Sequence, residues 1–200
     1  MRYVVFAAAI AATAGTASAQ LTLYTSQAAF NAATTGPVVD TFDDLSPIFY
    51  SGPLVRTVGS YSYQVNAASG LYGAGSGSDG WMSTNSAPDG IVFNNFSPGV
   101  FAIGGFFFTS NIAGLFDPGN ITVTATDANG NLSHTVINST TTSFVGFTSV
   151  TGIISLTVSA VQPSSGAIWP TVNDLTLALP TPGAAALLGL GGLMAVRRRR

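Results

Sequence analysis

Between positions 121 and 126 the chain alternates strictly: Ile121, Val123 and Ala125 are apolar, while Thr122, Thr124 and Thr126 carry hydroxyls. A period of two puts one set on each face of a β-strand, so this segment has one buried face and one wet face. Asn129-Gly130 follows directly, a strong short-range hairpin signal, and residues 132–137 supply a return strand. Residues 101–108 and 153–161 are more continuously apolar, as expected of central strands covered on both sides, and residues 172–179 read as the last strand. Residues 26–33 predict one short helix, with Ser26 as its N-cap ahead of Gln27, Ala28 and Ala29. Short strands punctuated by Gly, Pro, Asn and Ser predict an all-β fold, a β-sandwich of which the jelly roll is one form.

What can hold such a sandwich together is narrowed by three absences: the chain has no lysine, no glutamate and no cysteine. Disulfides are excluded, and salt-bridge networks are not expected, so apolar burial and backbone hydrogen bonds must carry the stability. Residues 20–179 are long enough for one domain with a sizeable core. Within them a single arginine, Arg56, stands against eight aspartates, a formal charge of −7. That balance disfavours nucleic acid as a partner, because phosphate backbones call for clustered lysine and arginine.

The two ends have a different character. Arg2, an apolar stretch over residues 4–15 and the small residues Ala17, Ser18 and Ala19 before Gln20 form the pattern of a secretory signal peptide over residues 1–19, with cleavage between Ala19 and Gln20. At the other end, residues 180–200 hold Pro180, Thr181, Pro182 and Gly183, then an apolar run over residues 184–196, then Arg197, Arg198, Arg199 and Arg200. As a helix the run would be roughly 20 Å long, marginal for a hydrocarbon core of about 30 Å, and the arginines would stay on the cytoplasmic side. A transmembrane helix at the C-terminus, with residues 20–179 outside, is the expectation.

This order of proline pair, apolar helix and arginine block at the end of an exported chain resembles the PEP-CTERM sorting signal of bacterial exosortase substrates, with Pro-Thr-Pro in place of the family's Pro-Glu-Pro. The resemblance covers the tail alone. The signal peptide implies export through the translocon and the apolar run a transient or permanent C-terminal membrane anchor; the resemblance implies an exosortase-like membrane enzyme as partner, cleavage near residues 180–183, and residence in the cell envelope or extracellular matrix. An ordinary membrane anchor is the competing reading.

Inside the body, residues 67–90 are rich in Gly and Ser around Tyr72, Asp79 and Trp81 and read as a long surface loop. Tyr72, Trp81 and Trp169 are the candidate faces for a sugar ring, with Trp81 as a buried plug the competing reading. Asp127, Asn129 and Asn131 have the alternate spacing of a calcium loop, but a hairpin turn accounts for them better. Asp40, Asp43 and Asp44 around Phe42 offer oxygen ligands, with solvated loop carboxylates as the preferred reading. His134, the one histidine, falls on the return strand with Leu132 and Val136, so no two-histidine metal site or cysteine nucleophile can be built, and no G-x-S-x-G elbow is present. No cofactor and no catalytic set is expected. The sequence therefore predicts an exported, non-enzymatic envelope or matrix protein; the alternative is a secreted carbohydrate-binding module for matrix polysaccharide.

Overall fold

The computed structural model describes residues 21–181. The signal segment with Ala17, Ala19 and Gln20, and the tail with Pro182, Gly183, the apolar run and Arg197 to Arg200, lie outside the described residues. No helix among the described residues is long and apolar enough to cross a membrane.

The chain opens with β1 (Thr22–Tyr24), α1 (Gln27–Ala33), β2 (Thr34–Asp40), β3 (Phe49–Tyr50), β4 (Leu54–Val58) and β5 (Tyr61–Asn66). It continues through β6 (Leu71–Ser76), β7 (Asp79–Thr84), β8 (Ile91–Asn94), β9 (Ala102–Ser110) and β10 (Asn120–Asp127). β11 (Gly130–Val136), β12 (Phe144–Thr148), β13 (Ser155–Val161) and β14 (Trp169–Pro180) complete it. Two antiparallel sheets result. One has eight strands in the order β1-β12-β9-β14-β7-β6-β3 with β2 also on β14; the other has six in the order β11-β10-β13-β8-β5-β4.

Their inner faces share one core. Met82, Ile103, Phe107, Phe147, Val172 and Leu177 of the larger sheet meet Tyr63, Val65, Phe93, Ile121, Val123, Leu156 and Val158 of the smaller. This is a β-sandwich, and the alternation over 121–126 works as expected: the apolar set is fully buried while Thr122 and Thr124 pair with Thr135 and Ser133 at 2.8 Å on the outer face. The hairpin turn falls on Ala128 and Asn129, with Asp127 opposite Gly130, one residue earlier than the Asn-Gly pair. Asp127 accepts from Asn129 N at 2.8 Å and from Ser149 Oγ at 2.7 Å, so its carboxylate is committed to the turn.

α1 stands on the outer face of the larger sheet. Ser26 has the extended backbone of an N-cap and its carbonyl accepts from Phe30 N at 3.0 Å, but its side chain makes no cap bond. A seven-residue helix is unstable alone. Phe30 holds it, fully buried among Ala102, Phe144 and Ala178 with ring centroids 5.9 Å from Tyr24 and 5.4 Å from Phe144.

Three expectations need correction. Residues 67–90 are not a long loop: β6 and β7 pair from Leu71↔Thr84 to Ser76↔Asp79. Their glycines serve close approach, since a Cβ on Gly73 would overlap the Ser46 carbonyl that crosses it. The last strand does not stop at Leu179. Pro180 pairs with Thr34, and Thr181 N donates to Ala33 O at 2.8 Å, because a strand end needs no donor from proline. The body also contains a charge network, described below.

The ladder fixes where the ends sit. Thr22, Thr148, Ala102 and Ala178 stand in one cross-strand row, so β1 begins and β14 finishes at the same end of the sheet, about 14 Å apart. Trp169 pairs with Ser110 at the opposite end, roughly 27 Å along β9.

Candidate functional site

At that opposite end the outer face of the larger sheet carries a cleft of about 280 Å³. The register builds it. Tyr72 lies opposite Ser83, Ser83 opposite Thr171, and Trp169 opposite Ser110, so four neighbouring strands deliver alternate side chains to one surface. Tyr72 is exposed and Trp169 half-buried, and both line the cleft with Asn85, Asn111 and Ile112. Beneath them is a floor of buried hydroxyls, in which Thr171 Oγ1 donates to Ser110 Oγ at 2.8 Å and Ser83 Oγ to the Pro170 carbonyl at 2.9 Å. The side chain of Asn85 makes no hydrogen bond among the described residues, and Asn111 commits only its oxygen, which accepts from Ala113 N at 2.9 Å and Leu115 N at 3.2 Å.

Two local devices position the walls. Gln162 donates to the carbonyls of Ala87 and Ile168 at 2.8 Å each, tying the connection before β14 to the one after β7 and fixing where Trp169 enters the sheet. The turn over residues 111–114 is pinned to β6 by Gly75 N donating to Gly114 O at 2.9 Å. Gly114 has φ +73°, and a Cβ there would come within 3.2 Å of Ala74, so glycine allows both the backbone and the contact.

Of the three aromatic candidates, the structure brings Tyr72 and Trp169 together and separates Trp81 from them. Trp81 is 7 % exposed and packs edge-on to Phe108 at 4.8 Å, with no hydrogen-bond partner for its Nε1. It therefore supports the sheet surface from within and presents no stacking face. Ser83, Asn85, Ser110 and Asn111 were not singled out by the sequence. The one available signal was the turn chemistry of Asn111 to Gly114 directly after an apolar strand.

A second concavity lies where β2 approaches β4, and Asp40, Asp44 and Arg56 line it. Arg56 of β4 donates through Nη1 and Nη2 to Asp44 at 2.7 Å, through Nε to Asp40 at 3.0 Å, and through Nη2 to Asp40 Oδ1. Tyr63 Oη donates to the same Asp40 at 2.7 Å, and the Phe42 ring lies 5.4 Å from the guanidinium. Asp40 is 5 % exposed, so the solvated-carboxylate reading is overturned for it, and both its oxygens are occupied. Burial opposes the Arg56 charge, but the bonds to Asp44 and Asp40 outweigh it and raise its pKa; the Arg56 bond holds Asp44 below the usual carboxylate range. Burial, then the charge of Asp40, pushes the Tyr63 phenol up. This network of one cation and two carboxylates joins β2 of the larger sheet to β4 and β5 of the smaller.

Asp43 accepts from Gly80 N at 2.9 Å and Asp79 from Asn173 Nδ2 at 2.8 Å. Burial, followed by the charges of Asp79 and Asp43, raises the pKa of Asp174. No group of His, Cys, Asp and Glu among the described residues is arranged to hold a metal ion. His134 sits opposite Val123 on the edge strand β11, and its side chain makes no hydrogen bond among the described residues. Comparison with protein-family models, curated proteins and solved structures finds no match.

Proposed function

We propose that this chain is an exported, non-enzymatic β-sandwich protein of the cell envelope or extracellular matrix, of jelly-roll-like type, that holds matrix polysaccharide in the cleft between Tyr72 and Trp169. The cleft carries the reading. Two aromatic residues 97 positions apart in sequence line one concave surface with amide groups and a hydroxyl floor, the mixture of flat apolar faces and a few placed polar groups that sugar rings require. Export and envelope residence rest on the signal-peptide pattern and on the PEP-CTERM-like tail, with an exosortase-like enzyme as the processing partner. Thr181 supplies the last sheet hydrogen bond, so a cut on its C-terminal side would leave every described hydrogen bond in place.

The test is co-sedimentation of the native protein with insoluble envelope polysaccharide, with intact mass measured on the bound fraction. The expected species lacks residues 1–19 and the segment after the Pro-Thr-Pro, and Tyr72→Ala releases it from the pellet. A bound species that keeps Arg197 to Arg200 would mean a plain membrane anchor and remove the exosortase step; a species that never sediments would remove the glycan reading.

A further inference from the structure

We infer that the cleft selects uncharged glycans, and that anionic and cationic polysaccharides are excluded from it. This rests on the proposed glycan reading of the same site and narrows its ligand class.

Three observations point the same way. None of the side chains that line the cleft is ionisable except the Tyr72 phenol, so neither sign of charge meets a partner there. The described residues contain one cation, Arg56, which is 12 % exposed, is bound to two carboxylates, and belongs to the other sheet. It cannot turn to a uronate or a phosphate. The remaining charge is eight aspartates, so an anionic polymer laid along the surface meets repulsion with no compensating contact. A cationic amino-sugar polymer would be drawn to the molecule as a whole, but no carboxylate lines the cleft to desolvate its ammonium groups against.

What the cleft does offer suits hydroxyl-bearing rings. Tyr72 and Trp169 supply flat apolar faces for the C–H side of a pyranose, and Asn85 brings an amide with both donor and acceptor free among the described residues. Asn111 adds donors on the opposite wall. Ser83 and Ser110 are buried and already bonded, so they shape the floor and discrimination falls to the two amides.

The experiment is affinity electrophoresis of the full chain in detergent through gels holding dextran, a galactan or a mannan as uncharged polymers, alginate as the anionic one and chitosan as the cationic one. An uncharged polymer is expected to retard the protein. Tyr72→Ala and Asn85→Ala, both at exposed positions, are each expected to weaken the retardation at least tenfold with unchanged circular dichroism. Microcalorimetry with the retarding polymer should give the same Kd at about 50 mM and about 500 mM salt, because no charge pair is there to be screened. Retardation by alginate or chitosan alone, weakened by salt and lost in Tyr72→Ala, would overturn the uncharged-ligand inference and leave the glycan cleft standing. Failure of all five polymers to retard the protein would overturn both.

Discussion

Asp174 occupies an uncomfortable position for a carboxylate. Its backbone is left-handed, with φ +51°, at the bulge where β14 changes partner from β7 to β2, and its side chain is half-buried near Asp79 and Asp43. Its pKa is raised in the folded state, so between its unfolded and folded values the native protein binds more protons. Stability therefore falls as pH rises through that window, and the penalty stays constant above it. Asparagine tolerates the same backbone and carries no charge. Asp174→Asn is expected to stabilise the protein at pH 7 by about 0.5 kcal/mol, a modest figure because the carboxylate is only partly desolvated and solvent screens its repulsion from Asp79 and Asp43. The gain should fade as pH falls through the unfolded value of about 3.9 and be nearly gone about one pH unit below it, where Asp174 is protonated in both states. Urea midpoints of the two proteins across pH 3–8 check it, and a gain independent of pH would refute the electrostatic cause.

At the scale of elements, the turn over residues 111–114 is what closes the cleft, and it rests on β6 through one glycine. Gly114→Val would force a β-branched residue into a left-handed backbone and against Ala74, lifting the turn and moving Asn111. The expected outcome is at least tenfold weaker glycan binding, measured by calorimetry, with the midpoint of thermal unfolding lowered by only a few degrees because the sandwich core is untouched. The hairpin of β10 and β11 could be read from sequence because its buried and wet faces alternate within a single segment. The hairpin of β6 and β7 could not. Its backbone hydrogen bonds leave no trace in composition, and positions such as Gly73 are stripped of side chains so that residues near Ser46 can cross, which gives a strand the appearance of a loop. The cleft was half legible: Tyr72 and Trp169 stand out as aromatic residues, but Asn85 and Asn111 acquire meaning only when β6, β7, β14 and β9 are placed side by side. Trp81 shows the limit of reading aromatics by type, since its neighbour Phe108 lies 27 positions away in sequence and buries it.

For the molecule as a whole, the absence of lysine, glutamate and cysteine leaves apolar burial as the main bond between the sheets, and among the described residues Arg56 is the one ionic clip between them. Arg56→Ala would strand the Asp40 carboxylate, 5 % exposed, with only Tyr63 and the Phe42 amide as partners. Removing one member of a buried pair typically costs about 3–5 kcal/mol, and the partial exposure of Asp44 places the expected loss near the lower end. Arg56→Lys should recover less than half of it, because an ammonium cannot grip two carboxylates with a planar fork. Equilibrium denaturation would show this, and a loss below about 1 kcal/mol would mean the clip is ornamental. The row Thr22–Thr148–Ala102–Ala178 has a consequence at the same scale. Both flanking segments join the body at one pole of the sheet, and the cleft opens at the other. A protein fastened to a surface by either end would stand on that pole like a post, with its grip at the top, reaching outward to whatever strand drifts within range.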